Sequence, residues 1–264
     1  MPARPNRLRL REIVFALAMG GFAAGGAAIA LDAMHDDGGP SEEFAADTTR
    51  DYQVASFDRI STSGPQDIEV KYGDTLAVRA EGSSRALSQL EVRVENGRLT
   101  IGPKEGFFRG NWGILDEATV YVTVPKLSEV AIAGSGDVRV DRIEGDSFEG
   151  KIGGDGQISI ADLKVDRADF SVAASGSISA AGSAGQTHAS IAGSGEIDAG
   201  SLRSDTASIS IAGSGDVALT VDKEAQVSIT GSGDVDIAGP GHCSVTRFGS
   251  GSVSCAGGGG DENN

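Results

Sequence analysis

The sequence predicts an all-β fold: a single-stranded parallel β-solenoid, right-handed β-helix-like, with coils of about 20 residues and a strand-rich N-terminal cap. Two observations lead there. A seven-residue unit recurs as Ile132-Ala-Gly-Ser-Gly-Asp-Val138, Ile152-Gly-Gly-Asp-Gly-Gln-Ile158, Val172-Ala-Ala-Ser-Gly-Ser-Ile178 and Ile191-Ala-Gly-Ser-Gly-Glu-Ile197. It continues as Ile211-Ala-Gly-Ser-Gly-Asp-Val217, Ile229-Thr-Gly-Ser-Gly-Asp-Val235 and Arg247-Phe-Gly-Ser-Gly-Ser-Val253, at intervals of 20, 20, 19, 20, 18 and 18 residues. Around each unit apolar residues alternate at period two, as in Val130-x-Ile132 and Val138-x-Val140, which is the signature of a half-buried strand on either side. One such coil cannot bury its apolar face, whereas stacked coils share a core and pair their backbones with the coil above and below.

Composition agrees. The chain has 39 glycines among 264 residues and only 5% aromatics. With no Gly-X-Y period and only 7 prolines, collagen and Pro-rich disorder are excluded. Glycine inside a strand destabilises by roughly 0.5–1 kcal/mol relative to alanine, so a chain this rich in glycine must contain many corners. The structural corner pairs are Gly134 and Gly136, Gly193 and Gly195, Gly213 and Gly215, Gly231 and Gly233, and Gly249 and Gly251. A sharp corner needs positive φ or close backbone approach, and the intervening serine hydroxyl can bond a neighbouring backbone group.

Taken in order, residues 1–31 read as a signal peptide or N-terminal membrane anchor. Arg4, Arg7, Arg9 and Arg11 precede an uncharged stretch from Ile13 to Leu31, and Ala28-Ile29-Ala30 is a small-x-small cleavage candidate. Cleaved or retained, this segment exports the remainder of the chain to the periplasm or cell surface, and residues 13–31 are the only expected contact with a membrane. Residues 32–51 are an acidic linker. Residues 52–125 hold alternating strands separated by turns such as Glu95-Asn96-Gly97, and form the N-terminal part that would close one end of the stack. Residues 126–256 are the Gly-Ser-Gly solenoid, and residues 257–264 a tail expected to be disordered. Without residues 1–30 the chain keeps 18 basic and 37 acidic side chains, a net charge of −19. Nucleic acid and anionic surfaces are repelled by such a charge. Cys243 and Cys255 are either a disulfide that staples the last coil or two free thiols; two cysteines and His242 are too few for a metal site.

The order of these elements resembles the head GIN domain family of auto-transporter adhesins, a domain of unknown function in bacterial envelope proteins. The resemblance rests on Phe57-Asp-Arg-Ile-Ser-Thr-Ser-Gly-Pro-Gln-Asp-Ile-Glu-Val70, Asn96-Gly-Arg-Leu-Thr-Ile101, and Val120-x-Val-x-Val124-Pro125-Lys-Leu127 leading into Ala133-Gly-Ser-Gly-Asp-Val138. It covers about residues 54–240 and implies a β-solenoid in the cell envelope; it brings no catalytic residues with it.

Two constellations invite a function. Asp137, Glu196, Asp216 and Asp234 each stand just after a corner. At the roughly 4.8 Å spacing of stacked strands two such charges repel by about 0.9 kcal/mol in water and about 3.5 kcal/mol at an effective dielectric of 20. Exposed, they are solvated turn carboxylates; buried, they would need Ca2+, although the nonapeptide period of calcium-binding β-rolls is absent. The segment holding Phe107, Phe108, Arg109 and the single Trp112 is a partner-binding loop or a plug for an open core end. His35, His188 and His242 lie apart without metal-ligand spacing, and none of the corner serines is followed by a helix, as a nucleophile elbow requires. The expectation is a non-enzymatic envelope protein, adhesin-like or structural, without cofactor or metal, that contacts a protein or glycan and is open to homo-oligomer formation through its coil end. The alternative is a polysaccharide lyase or hydrolase using acids such as Asp216 and Asp234. Their direction separates the two.

Overall fold

The computed structural model describes residues 48–104 and 118–263. The export segment 1–31 and residues 32–47 of the linker lie outside them. The described chain is a parallel β-solenoid of about six turns. Its cap comprises β1 (Thr48–Tyr52), β2 (Arg59–Thr62), β3 (Asp67–Tyr72), β4 (Ala77–Gly82), a short helix α1 (Ser84–Gln89), β5 (Leu90–Glu95), β6 (Arg98–Pro103) and β7 (Ala118–Val124). The stack continues through β8 (Glu129–Ile132), β9 (Val138–Val140), β10 (Ile143–Ile152), β11 (Gln157–Val172), β12 (Ser177–Gly193), β13 (Glu196–Gly213) and β14 (Asp216–Gly231). It ends with β15 (Val235–Ala238), β16 (His242–Gly249), β17 (Val253–Cys255) and β18 (Gly259–Asn263).

Strands β11 to β14 run to 16–18 residues because each bends around the solenoid and contributes to more than one side. One wall stacks β6, β2, β8 and β10 in parallel, then the ends of β11 to β14, then β16. The other stacks β7, β3 and β9, the beginnings of β11 to β14, then β15 and β17. Inward residues alternate with outward ones, so that Ile68, Val138, Ile158, Ile178, Ile197, Val217 and Val235 form one continuous buried row. Each such side chain contributes about 1.5–3 kcal/mol of burial. The largest buried groups, Phe148 and Phe170, meet at 6.5 Å between ring centroids, and Gly150 leaves them the room.

The corners show why glycine recurs. A Cβ on Gly213 would lie 2.1 Å from the carbonyl oxygen of Gly193, and one on Gly233 would lie 2.2 Å from that of Gly215. Each glycine thus sits on the backbone of the coil below. The first glycine of the corner also has positive φ at Gly193, Gly213, Gly231 and Gly249, whereas the corresponding Ala174 does not, which lets one coil carry a methyl group there. The serine contributes through its backbone: Ser194, Ser214, Ser232 and Ser250 donate their N–H to the preceding coil's corner carbonyl, and their side chains are exposed. The hydroxyl role expected from sequence belongs to this amide instead.

The cap departs from simple succession. After β3 the chain leaves the stack, turns through β4, α1 and β5, and returns as β6 and β7 beneath the coil it has already made. The rung of β2 and β3 is therefore enclosed between β6/β7 and β8/β9. Antiparallel partners end both walls, β5 on β6 and β4 on β7, with β1 on β4. Residues 48–51, assigned from sequence to the linker, belong to β1. The β5–β6 turn places Asn96 and Gly97 at φ 51° and 74°, as a tight hairpin requires. Helix α1, unforeseen in an all-strand reading, is started by Ser83, whose hydroxyl accepts the Ala86 N–H at 3.0 Å, and buries Ala86 and Leu87.

At the far end a disulfide joins Cys243 in β16 to Cys255 in β17, with Cα atoms 6.5 Å apart. The tail expected to be disordered is corrected here: Gly259–Asn263 forms β18, pairing in parallel with β16 from Cys243 to Arg247. A backbone ladder needs no side chains, which is why a glycine-rich segment without apolar pattern can occupy that edge.

Gly213→Ala is expected to destabilise the protein by about 2–4 kcal/mol, through both positive φ and the carbonyl clash. Gly145→Ala, where a Cβ meets nothing within 4 Å, should stay within about 0.5 kcal/mol of the parent. Urea unfolding of both variants checks the pair. Cys255→Ser should cost about 2–4 kcal/mol, seen as early loss of amide protection in β16 and β17 by hydrogen exchange.

Candidate functional site

Register decides what the outward rows can do. The row after the corner reads Asp67, Asp137, Gln157, Ser177, Glu196, Asp216, Asp234 and Ser252. Four of its acids reach into the next coil. Asp67 Oδ1 accepts the Asp137 N–H at 3.1 Å, and Asp137 Oδ1 accepts the Gln157 N–H at 3.2 Å. Asp216 Oδ1 accepts the Asp234 N–H at 3.1 Å, and Asp234 Oδ1 accepts both the Ser252 N–H at 2.8 Å and its hydroxyl at 2.7 Å. The carboxylates are coil-to-coil hydrogen-bond acceptors on an open wall. Those Ser252 bonds, the hydroxyl's first and the amide's second, hold the Asp234 carboxyl below its ordinary range. That direction is opposite to what a general acid needs. Among the described residues no three His, Cys, Asp or Glu side chains gather as a metal site.

His188 and His242 are exposed on strands β12 and β16. Phe107, Phe108, Arg109 and Trp112, like His35, lie outside the described residues.

A different row is richer in chemistry. Outward from β4, β7, β3, β9, β11 and β12 stand Arg79, Tyr121, Glu69, Arg139, Ser159 and Ser179, each in register with the next. Beside it, two residues further along the strands, run Thr123, Lys71, Asp141 and Ala161. Between these rows lie two depressions. One, of about 510 Å3, runs from Glu69 and Lys71 past Arg139 and Asp141 to Ser159, Ala161 and Ser179. The other, of about 300 Å3, is lined by Arg79, Glu81, Tyr121, Thr123 and again Glu69 and Lys71. The Tyr121 phenol is held above its usual value, first by partial desolvation and then by the charges of Glu81 and Glu69. Sequence reasoning missed this strip: the alternation of β7 marks Tyr121 as outward, but its neighbours emerge only from the register.

Likeness to known proteins adds two findings. A family model described as "putative auto-transporter adhesin, head GIN domain" matches residues 56–241. Among solved structures, one named a putative adhesin from Bacteroides fragilis is similar at a TM-score of 0.72 and 21% identity, covering 79% of this chain and 96% of that one. One named a putative lipid binding protein from Parabacteroides distasonis gives 0.64 and 24%, covering 81% and 97%, and a putative adhesin from Parabacteroides merdae gives 0.63 and 18%, covering 81% and 96%. At these identities the likeness is one of fold. No curated protein matches the chain.

Ser252→Ala should raise the Asp234 pKa toward the ordinary carboxylate value, measured by carbon-detected NMR titration of the side chain. Because the folded value is depressed, the bond to Ser252 stabilises the last coil above the ordinary carboxylate range and is lost as pH falls through the folded pKa. In Ser252→Ala that acid-induced loosening should be weaker and should be complete at higher pH; an unmoved pKa would refute the assignment.

Proposed function

Because the chain belongs to the head GIN domain family of auto-transporter adhesins, we propose that it is an exported, non-enzymatic protein of the cell envelope that presents its β-solenoid walls to another protein or a glycan. The observation that carries this reading is what the wall acids do. A lyase or hydrolase needs carboxylates free to exchange protons over substrate, whereas Asp216 and Asp234 accept backbone hydrogen bonds from the following coil. Regular, outward, coil-bound acids make a scaffold with a surface. Export is supported by the basic, then apolar, then acidic order of residues 1–43. Among the described residues no helix is long and apolar enough to cross a membrane; the uncharged run of residues 13–31 is the candidate anchor. The net charge of −16 disfavours nucleic acid as partner.

Crosslinking in intact cells, then co-purification of the tagged full-length chain from envelope fractions, tests the reading. Recovery of a defined surface protein or glycan, unaffected by Asp216→Asn with Asp234→Asn, is the expected result. Joint replacement of Phe107, Phe108 and Trp112 by Ala should weaken that recovery if the aromatic segment is part of the contact. Turnover of a polysaccharide that vanishes in the Asp216→Asn, Asp234→Asn variant would overturn the proposal in favour of an enzyme.

A further inference from the structure

We infer that the two depressions on the β4–β7–β3–β9–β11–β12 wall are one binding furrow for an extended saccharide chain lying parallel to the solenoid axis, an inference that rests on the contact function proposed above. The depressions adjoin, since Glu69 and Lys71 line both. Six strands about 4.8 Å apart make a track of about 24 Å. Its walls are the two outward rows, and its width is set by the two-residue repeat of a strand. Its lining shortens toward β12, where Ser159, Ala161 and Ser179 follow the longer Glu69, Lys71 and Arg139.

The chemistry of the furrow is unlike that of the chain as a whole. In a chain with net charge −16, the strip carries three cations, Lys71, Arg79 and Arg139, against three acids, Glu69, Glu81 and Asp141. Arg139 is held at 3.0 Å by Asp137, Arg79 at 3.2 Å by Glu81, and Asp141 accepts the Tyr72 N–H at 2.8 Å. These groups are fixed and still offer further donors and acceptors, as planar guanidinium and carboxylate groups do. Lys71 makes no ion pair among the described residues. It stands in the middle of the track, in the lining of both depressions.

Tyrosine completes the set. Only 3 tyrosines occur in the chain. Tyr121 lies in the furrow. A sugar ring presents C–H faces that stack on an aromatic ring and hydroxyls that are both donor and acceptor; a narrow strip with a ring, carboxylates, guanidinium groups and serine hydroxyls matches both. A protein partner would call instead for a broad apolar centre with buried anchors. Apart from Tyr121, the outward side chains along the track are charged, hydroxyl-bearing or small.

The test uses the purified full-length chain and a panel of defined oligosaccharides of neutral hexoses, N-acetylhexosamines and uronic acids, with binding measured by calorimetry. Ser159→Lys fills the track without removing a core contact, Tyr121→Ala removes the ring, and Ser228→Lys on the opposite wall is the control; thermal melts report folding. At least one class of oligosaccharide should bind, about tenfold or more weakly in Ser159→Lys and Tyr121→Ala and unchanged in Ser228→Lys. Absence of binding across the panel, or binding equal in all variants, overturns the furrow. If cell-surface recovery persists in Ser159→Lys, the furrow fails while the contact function stands. If recovery is lost in Ser159→Lys and no saccharide binds or competes, the track takes a protein, and the saccharide assignment is wrong. If the parent chain recovers no surface partner at all, the contact function itself falls.

Discussion

Everything in this molecule depends on backbone meeting backbone at the corners. Parallel coils stack at the spacing of a β-ladder, and at a sharp turn that spacing brings the peptide of one coil against the Cα of the next. Gly134 over Gly64, Gly154 over Gly134, Gly213 over Gly193 and Gly249 over Gly231 are successive instances, in each of which a Cβ would lie 2.5 Å or less from a backbone atom below. A single misfit therefore concerns not one turn but the alignment of the coils on either side of it. Registry of the corners in turn aligns the inward valines and isoleucines, and core and corner enforce one another.

A stack of parallel strands has two ends, and this chain closes them by different means. At the cap, β5 lies antiparallel on β6, β4 lies antiparallel on β7 with β1 outside it, and α1 buries Leu87, whose carbonyl accepts Arg50 Nη1 at 2.7 Å. At the other end there is no comparable cap among the described residues. The Cys243–Cys255 disulfide ties the last strands together, and β18 covers β16 with a ladder of backbone bonds. The cross-coil ion pairs, such as Arg203–Asp222 at 2.7 Å and Lys223–Asp205 at 2.9 Å, are largely exposed and add at most about 1 kcal/mol each.

This division also sets the limits of reading the fold from sequence. The corner period and the alternation are local, so the solenoid, its strands and its coil length were legible from Ile132 onward. The path of the cap was not: nothing within Arg98–Pro103 or Ala118–Val124 says that those strands will lie beneath Arg59–Thr62 and Asp67–Tyr72 rather than above them. The acids after the corner could be picked out, but not their task, because the Asp234 carboxylate gains its meaning from Ser252, 18 residues on. Likewise Tyr121 is visibly an outward residue, whereas its neighbours Arg79 and Glu69 are 42 and 52 positions away in sequence. Pairing across coils is information that a linear pattern holds only when the repeat is exact, and the cap is where it is not.

That irregularity also borders a hollow on the described surface. Over much of the wall the outward residues are constrained weakly, since core and corners already fix the coil, and they include small types such as Ser177, Ser179 and Ala218. In and beside the cap the outward positions are Arg79, Tyr121, Glu69 and Arg139, longer side chains that line the two depressions, the larger of which runs on to the short Ser159 and Ser179. A solenoid made of identical rungs would present a uniform face with no preferred place for a ligand. By breaking the repeat at one end, the chain joins a featured surface to a flatter one, and the boundary between them is a concavity built on rigid strands rather than on a loop. Recognition can then change by substitution along two outward rows without disturbing a single buried residue.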